Sequence, residues 1–317
     1  MMHTQIFKPW HQKLYNLIEK YDTITIFRHV NPDGDAYGSS FGLGLWLKSH
    51  FPNKKIYITG KDEGTLLLYF FPSDFVTDET IKQSLALVVD TANKERISDQ
   101  RYQYAQKVVK IDHHPYSGNY GDYEFIEESM SSSCEIVTEF IRSFQKEPLS
   151  YENARVLYAG MLTDTLSFTI ASVTSKTLYL AAWLLESGLD VAQIQDELFL
   201  QDSNIYDYVT YLRGICTVDN GLVYAYVSTE ALAKYQLDFN QAKEFVNVYK
   251  SRKDAKIWVL MIEMPDGLFN LSIRSRNIVI NDIATKFGGG GHKFASATKN
   301  LKFEETQQLL IDLKNRL

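Results

Sequence analysis

Four short apolar runs, Thr23 to Phe27 (TITIF), Lys54 to Thr59 (KKIYIT), Ser84 to Val89 (SLALVV) and Lys107 to Ile111 (KVVKI), recur early in the chain with longer segments between them. Runs of this length, rich in β-branched residues, read as buried strands. Strands that alternate with helix-length segments build a largely parallel sheet, because a parallel neighbour is reached only by a crossover. Polar residues gather at the same end of these runs. Arg28 to Ser40 (RHVNPDGDAYGSS) follows the first, Asp90-Thr91-Ala92-Asn93 the third, and Asp112-His113-His114-Pro115 the fourth. The carboxyl ends of strands are where an open α/β sheet places its ligand sites.

Within Arg28 to Ser40, the side chains of His29, Asp33 and Asp35 are expected to converge in a short loop before a helix whose Phe41, Leu45 and Trp46 repeat at helical spacing. An imidazole nitrogen beside two hard carboxylate oxygens suits a divalent ion such as Mn²⁺. Asn, Pro, Asp and Gly are equally the ordinary residues of a solvated turn, so this stretch alone leaves both uses open.

A helix is expected over Phe7 to Glu19, ahead of the first strand, and an edge strand over Tyr123 to Ile126. Ser129 to Glu135 (SMSSSCE) opens a further helix, either as a capping box or with backbone amides free for a phosphate. Asn153 to Leu162 is an apolar helix with Asp164 near its C-terminal end, where a carboxylate opposes the helix dipole and calls for a compensating cation. Thr177 to Leu185 and Val191 to Leu198 are helical, the latter starting a connector. Beyond Tyr211, strands at Leu222 to Val227, Ile257 to Met264 and Phe269 to Arg274 and a helical tail from Phe303 make a second, smaller α/β domain. Before the tail stands Phe287-Gly288-Gly289-Gly290-Gly291-His292. Consecutive glycines are entropically unfavourable in a fold unless the backbone bends sharply or approaches a ligand closely; with Arg274 and Arg276 near in sequence, an anion site and a flexible surface loop are the competing uses.

At 317 residues the chain is longer than one core usually serves, which favours two domains, and 45% hydrophobic residues suffice to fill them. A net charge of -6 argues against a long duplex nucleic-acid partner held by bulk electrostatics and leaves a short single strand or a small nucleotide. Cys134 and Cys216 form no CxxC, so neither a disulfide framework nor a thiolate metal site is indicated. No apolar run has the length of a bilayer span and the first residues lack a signal-like core, so a soluble cytoplasmic protein with no membrane partner is expected. The oligomeric state is left open, a homodimer included.

His29, Asp33, Asp35, Asp90, Asp112, His113, His114 and Asp164 thus fall at strand or helix ends of the first domain. Carboxylates and imidazoles without thiolates suit two hard or borderline cations, with one carboxylate such as Asp90 bridging both. Two ions about 3.5 to 4 Å apart activate water and offset phosphoryl charge. HVNPDGD, VVDTAN, IDHHP, GMLTDT and GGGGH, in this order over nearly the whole chain, resemble the motifs of the DHH phosphoesterase family, and the two-domain layout resembles its oligoribonuclease and 3′-phosphoadenosine-5′-phosphate phosphatase branch, the nanoRNases.

The resemblance implies a mostly parallel α/β metal-binding domain over residues 1–190, a connector over 191–212 and a smaller α/β substrate-binding domain over 213–317 across a cleft. It implies one ion, usually Mn²⁺ with Mg²⁺ as the alternative, on His29, Asp33 and Asp90, and a second on Asp35, Asp90, His113 and Asp164. His114 would then face the substrate phosphate, and Asp112 would orient the imidazoles. Arg274, Arg276 and the loop with Gly289, Gly290, Gly291 and His292 would hold substrate. One departure stands out: many relatives carry Gly-Arg after the Asp-Thr that Asp164-Thr165 matches, whereas this chain reads Leu166-Ser167. The implied activity is hydrolysis of very short RNA and of 3′-phosphoadenosine 5′-phosphate, with a dinucleotide phosphodiesterase and a non-catalytic nucleotide-binding regulator as alternatives.

Overall fold

The computed structural model describes residues 7–62, 69–116 and 118–317, and divides into two compact units, 1–200 and 201–317. The signal-peptide reading of the first residues lies partly outside the described ones.

In the first unit, α1 (Pro9–Lys20) leads into β1 (Thr23–Phe27), α2 (Gly34–His50), β2 (Lys55–Ile58), α3 (Asp78–Lys82), β3 (Leu85–Val89), β4 (Lys107–Asp112) and β5 (Tyr123–Ile126). Helices α4 (Ser133–Phe144), α5 (Tyr151–Asp164), α6 (Ser175–Leu185) and α7 (Val191–Phe199) follow. The five strands lie in the order β2-β1-β3-β4-β5, and every neighbouring pair is parallel. From β1 the chain moves outward to β2, then returns to place β3 on the other side of β1. The strand order therefore reverses between β1 and β3, the point at which an open parallel sheet places its ligand sites.

Helix α2 starts earlier than its apolar spacing indicates. Asp33 is its N-cap, accepting the backbone N–H groups of Asp35 at 3.1 Å and Ala36 at 3.0 Å. Asp35 accordingly sits in the first helical turn, not in the loop expected for it. Helices α2, α4 and α5 pack closely at this end. A Cβ on Gly160 of α5 would meet Cys134 Sγ of α4 and lie 2.9 Å from the Gly34 carbonyl oxygen, so the absence of a side chain lets α5 bring its C-terminal turn against the start of α2.

The second unit contains α8 (Ser203–Ile215), β6 (Thr217–Asp219), β7 (Leu222–Val227), α9 (Thr229–Lys234), α10 (Phe239–Lys243), β8 (Ile257–Glu263), β9 (Phe269–Ser275), α11 (Asn281–Lys286), β10 (Gly290–His292), β11 (Ala295–Leu301) and α12 (Phe303–Lys314). Its sheet runs β10-β11-β9-β8-β7-β6, antiparallel except for the β7–β8 pair. The units divide between Leu200 and Gln201, within the stretch 191–212 expected as a connector. There α7 packs Ile194 into the core of the first unit, and α8 packs Tyr208 and Leu212 into the second. No helix among the described residues is long and apolar enough to cross a membrane.

Candidate metal centre

Asp90 leaves β3 in a left-handed backbone conformation, φ 49, which is unfavourable for a residue with a side chain and needs the surroundings to hold it. Its amide donates to the Ile111 carbonyl at 3.0 Å, and the Ser133 hydroxyl donates to its Oδ1 at 3.1 Å. Held this way, the two oxygens of Asp90 face different partners. Oδ2 lies 3.3 Å from His29 Nε2, whose ring also lies 3.8 Å from Asp33 Oδ2. Oδ1 lies 3.6 Å from His113 Nε2, which is itself 3.4 Å from Asp164 Oδ2 and 3.9 Å from Asp35 Oδ2. Three groups of potential ligand atoms result, His29 with Asp33 and Asp90, Asp35 with His113 and Asp164, and Asp90 with His113 and His114, each gathered within 4.8 Å. Asp90 belongs to the first and the third, and its Oδ1 also lies 3.7 Å from His114 Nδ1.

Asp35 is 1% exposed, and both of its oxygens are occupied by backbone amides at the start of α4, Ser133 N–H at 2.6 Å and Cys134 N–H at 2.8 Å. The helix terminus considered for a phosphate is therefore spent on a carboxylate of the protein itself. Ser132 caps the helix by accepting the Glu135 N–H at 3.0 Å, as expected, but the Glu135 carboxylate takes the amide and hydroxyl of Ser131. Ser133 and Cys134 were not read as site residues. The serine-rich start of a helix was the available signal, and what hid their role is that their partner lies almost a hundred residues earlier in sequence.

The electrostatics are those of a site built for cations. Among the described residues, the ion-pair partners of Asp33, Asp35, Asp90 and Asp164 are all histidines, with no lysine or arginine. Burial and the negative charges of Asp90 and Asp164 push the Asp35 carboxyl well above its usual range. Burial together with Asp90 and Asp33 raises Asp164 to about 7. Burial opposes charging His29, yet its bonds to Asp33 and Asp90 outweigh this and raise it to about 10. Such a cluster of carboxylates and imidazoles fits divalent cations of hard or borderline character, which would relieve the repulsion in place of protons. The His29 tautomer agrees. Its Nδ1 donates to the Val30 carbonyl oxygen at 2.8 Å, so Nε2 is the nitrogen that faces the two aspartates, protonated toward them in the absence of a cation and able to offer a lone pair once that proton leaves. Arg96, also missed in the sequence, lies alongside with Nη2 3.4 Å from the same Nδ1.

His114 Nδ1 lies 2.8 Å from Asp112 Oδ1, and its backbone N–H donates to the same oxygen at 3.3 Å. A proton on Nδ1 leaves Nε2 free at a partly exposed edge of the site. After Asp164, the last residue of α5, the backbone turns left-handed at Leu166, Ser167 and Phe168, with φ of 48, 57 and 63. At this departure from the expected Gly-Arg the chain adopts a conformation that glycine adopts freely, held by Thr165 Oγ1 accepting the Phe168 N–H at 2.9 Å and by the Phe168 ring against Tyr158.

In the second unit, Arg274 of β9 and His292 of β10 are both register partners of Ala295 on the strand between them, which puts them in one row across the sheet. Arg274 is half-buried and donates through Nη1 to the Ile273 and Ser296 carbonyls at 3.0 and 3.4 Å. Arg276 is exposed and its Nη2 donates to the Lys250 carbonyl at 2.7 Å. Gly290, Gly291 and His292 form a strand, not a free loop, and a Cβ on Gly289 would collide with the Ala297 carbonyl oxygen. Close backbone packing accounts for at least this glycine.

The model of the DHH family N-terminal domain matches residues 23–161, and that of the DHHA1 domain matches residues 219–316. The chain is 36% identical over 301 residues to a probable bifunctional oligoribonuclease and PAP phosphatase NrnA of Streptococcus mutans, covering 95% of this chain and 96% of the relative. It is 33% identical over 305 residues to the bifunctional oligoribonuclease and PAP phosphatase NrnA of Bacillus subtilis, covering 95% and 97%. Among solved structures, an exopolyphosphatase-related protein from Bacteroides fragilis aligns with a TM-score of 0.83 at 25% identity over 98% of each chain. With both domain models matched in order, and with relatives this similar along nearly their whole length, the chain belongs to the DHH phosphoesterase family.

Proposed function

We propose that this chain is a Mn²⁺-dependent phosphoesterase that hydrolyses short RNA oligonucleotides to mononucleotides and removes the 3′-phosphate of 3′-phosphoadenosine 5′-phosphate. The observation that carries it is the pair of ligand groups meeting at Asp90, in a chain whose relatives from two genera are named for both activities. His29, Asp33 and Asp90 would hold one ion, and Asp35, Asp90, His113 and Asp164 the other, Asp90 offering one oxygen to each side. When bound, a pair of divalent ions lowers the pKa of a water and offsets charge on the phosphoryl group. Buried Asp35, fixed by two amides, and Asp164, at the helix end, keep their oxygens in place without a lysine or arginine to compete for them.

His114 has the geometry of a proton carrier. With Nδ1 committed to Asp112, its Nε2 is the atom that faces the ester and can hand a proton to the departing oxygen. Substrate binding falls to the second unit, where Arg274 supplies a forked donor set for a phosphate and His292 shares its row. Arg276, Gly290 and Gly291 are assigned to the same surface, and Gly289 lets the backbone lie flat there. The test is hydrolysis by the Mn²⁺-loaded protein of a dinucleotide, a pentanucleotide, the adenosine bisphosphate, a cyclic dinucleotide and pyrophosphate. Turnover of the short RNAs and the bisphosphate is expected to dominate. Exclusive turnover of the cyclic dinucleotide or of pyrophosphate would overturn the assignment, and no turnover of any of them would point to a binding protein.

A further inference from the structure

The apolar face of β4 carries a lysine where an aliphatic residue would pack. Val108, Lys110 and Asp112 alternate onto one side of the strand, and Val108 belongs to a cluster with Phe27, Val88 and Ile97. Lys110 is wholly buried, 0% exposed. Its ammonium donates to the Ala92 carbonyl at 2.7 Å, lies 3.3 Å from Asp112 Oδ2 and sits 4.9 Å above the Tyr120 ring, whose hydroxyl donates to the Thr91 carbonyl at 2.6 Å. A buried ion pair is not needed for stability, since well-packed apolar residues commonly do as well. What this lysine touches gives it another use.

The two oxygens of Asp112 are divided. Oδ1 serves the ring and amide of His114, while among the described residues Oδ2 is buried without a hydrogen bond and has Lys110 as its one charged neighbour. The same ammonium grips the segment two residues beyond Asp90. Lys110 therefore ties together, from beneath, the strand-end segment that carries Asp90 and the one that carries Asp112, His113 and His114. We propose that Lys110 is a positioning residue for hydrolysis: it fixes the Asp112 carboxylate so that Oδ1 holds His114 with its proton on Nδ1. The inference rests on the role given above to His114 and Asp112, and it adds a member below them that neither touches substrate nor holds an ion.

The test is a double-mutant cycle on the full-length, Mn²⁺-loaded protein with the adenosine bisphosphate as substrate. Outer partners of this kind are commonly worth about tenfold to a hundredfold in activity. Lys110→Met is expected to lower kcat within that range while KM stays within about twofold, and to lower it less than about twofold when Asp112 is already Asn. An equal loss in both backgrounds, or no loss in the first, overturns the inference. A normal kcat for Asp112→Asn alone defeats the role of the His114–Asp112 pair, and the Lys110 role with it. An impaired Asp112→Asn with an additive Lys110→Met defeats the Lys110 role only. Nitrogen NMR of the metal-free protein, at a pH high enough for the His114 ring to be neutral, supplies a readout apart from turnover: His114 is expected as a single Nδ1–H tautomer in the wild type and as a mixture in the variant, and an unchanged tautomer counts against the proposal. Should Lys110→Met fail to fold, Lys110→Gln, which keeps a donor for the Ala92 carbonyl and drops the charge, goes through the same cycle and NMR comparison.

Discussion

Loading the metal-free protein at pH 7 should expel protons, and the number follows from the site. A group must be deprotonated at the atom it offers to a cation. His29, raised to about 10, is almost fully protonated at pH 7 and gives up about one proton. Asp164, raised to about 7, is half protonated and gives up about half of one. Asp35, pushed up by burial and by Asp90 and Asp164, adds to this. The expected release is thus about 1.5 protons or more, falling toward the His29 contribution as Asp164 ionises by pH 9.

Calorimetric titration with Mn²⁺ in buffers of different ionisation enthalpy measures the release as the slope of observed heat against buffer heat. A slope near zero at pH 7 would refute the ligand assignment. The sign extends to stability. A folded-state pKa raised above the unfolded value gives stability that is fully present below the unfolded pKa and is lost as pH rises through the folded one. For Asp164 the window runs from 3.8 to about 7, at most ~4 kcal/mol, and for His29 it runs from 6.5 to about 10. The metal-free protein should therefore lose Tm steadily from pH 6 to pH 9, and the Mn²⁺-loaded protein should lose much less.

Asp90→Ala should abolish turnover more completely than Asp33→Ala and leave metal content near zero after dialysis, because each oxygen of Asp90 faces a different ligand group; two retained ions and near-normal turnover would remove its bridging role. Arg274→Ala and His292→Ala should each weaken the apparent affinity for short RNA by about tenfold, the worth of one charged hydrogen bond, with little effect on a small generic phosphodiester and with metal content unchanged. Equal losses on both substrates would contradict a substrate-holding role. Gly160→Ala should cost about 1 to 3 kcal/mol by prising α5 from α2. Because that separates Asp164 from Asp35, one step of the Mn²⁺ titration should weaken while the other is kept, whereas two unchanged steps would show that the helices absorb the methyl group elsewhere.

The parallel sheet was legible because its central strands are buried on both faces and so carry no polar alternation to confuse the reading: Leu85–Val89 is buried throughout, and Thr23–Phe27 was bounded correctly to the residue. Residues that follow such strands inherit a known place, which is why His29, Asp90 and His113 could be brought together on paper. Helix starts were less legible, because capping competes with the apolar repeat: Asp33 caps α2, whose first residue, Gly34, lies seven residues before Phe41, and no periodicity reveals it. Contacts set by helix packing were not legible at all. That Ser133 and Cys134 amides hold Asp35, and that Leu166 to Phe168 turn left-handed, depend on where α4 and α5 lie against α2.

Lys110 marks a further limit. KVVKI was legible as a strand, but nothing in the sequence gives its second lysine a partner, and only the pairing of β4 between β3 and β5 makes the position of Lys110 interior. Its burial becomes informative once Asp112 Oδ1 is found committed to His114, because a carboxylate sharing that oxygen with a ring and an amide would otherwise leave Oδ2 buried beside apolar residues. The two charges therefore have to be explained together, and the explanation lies in the imidazole they orient.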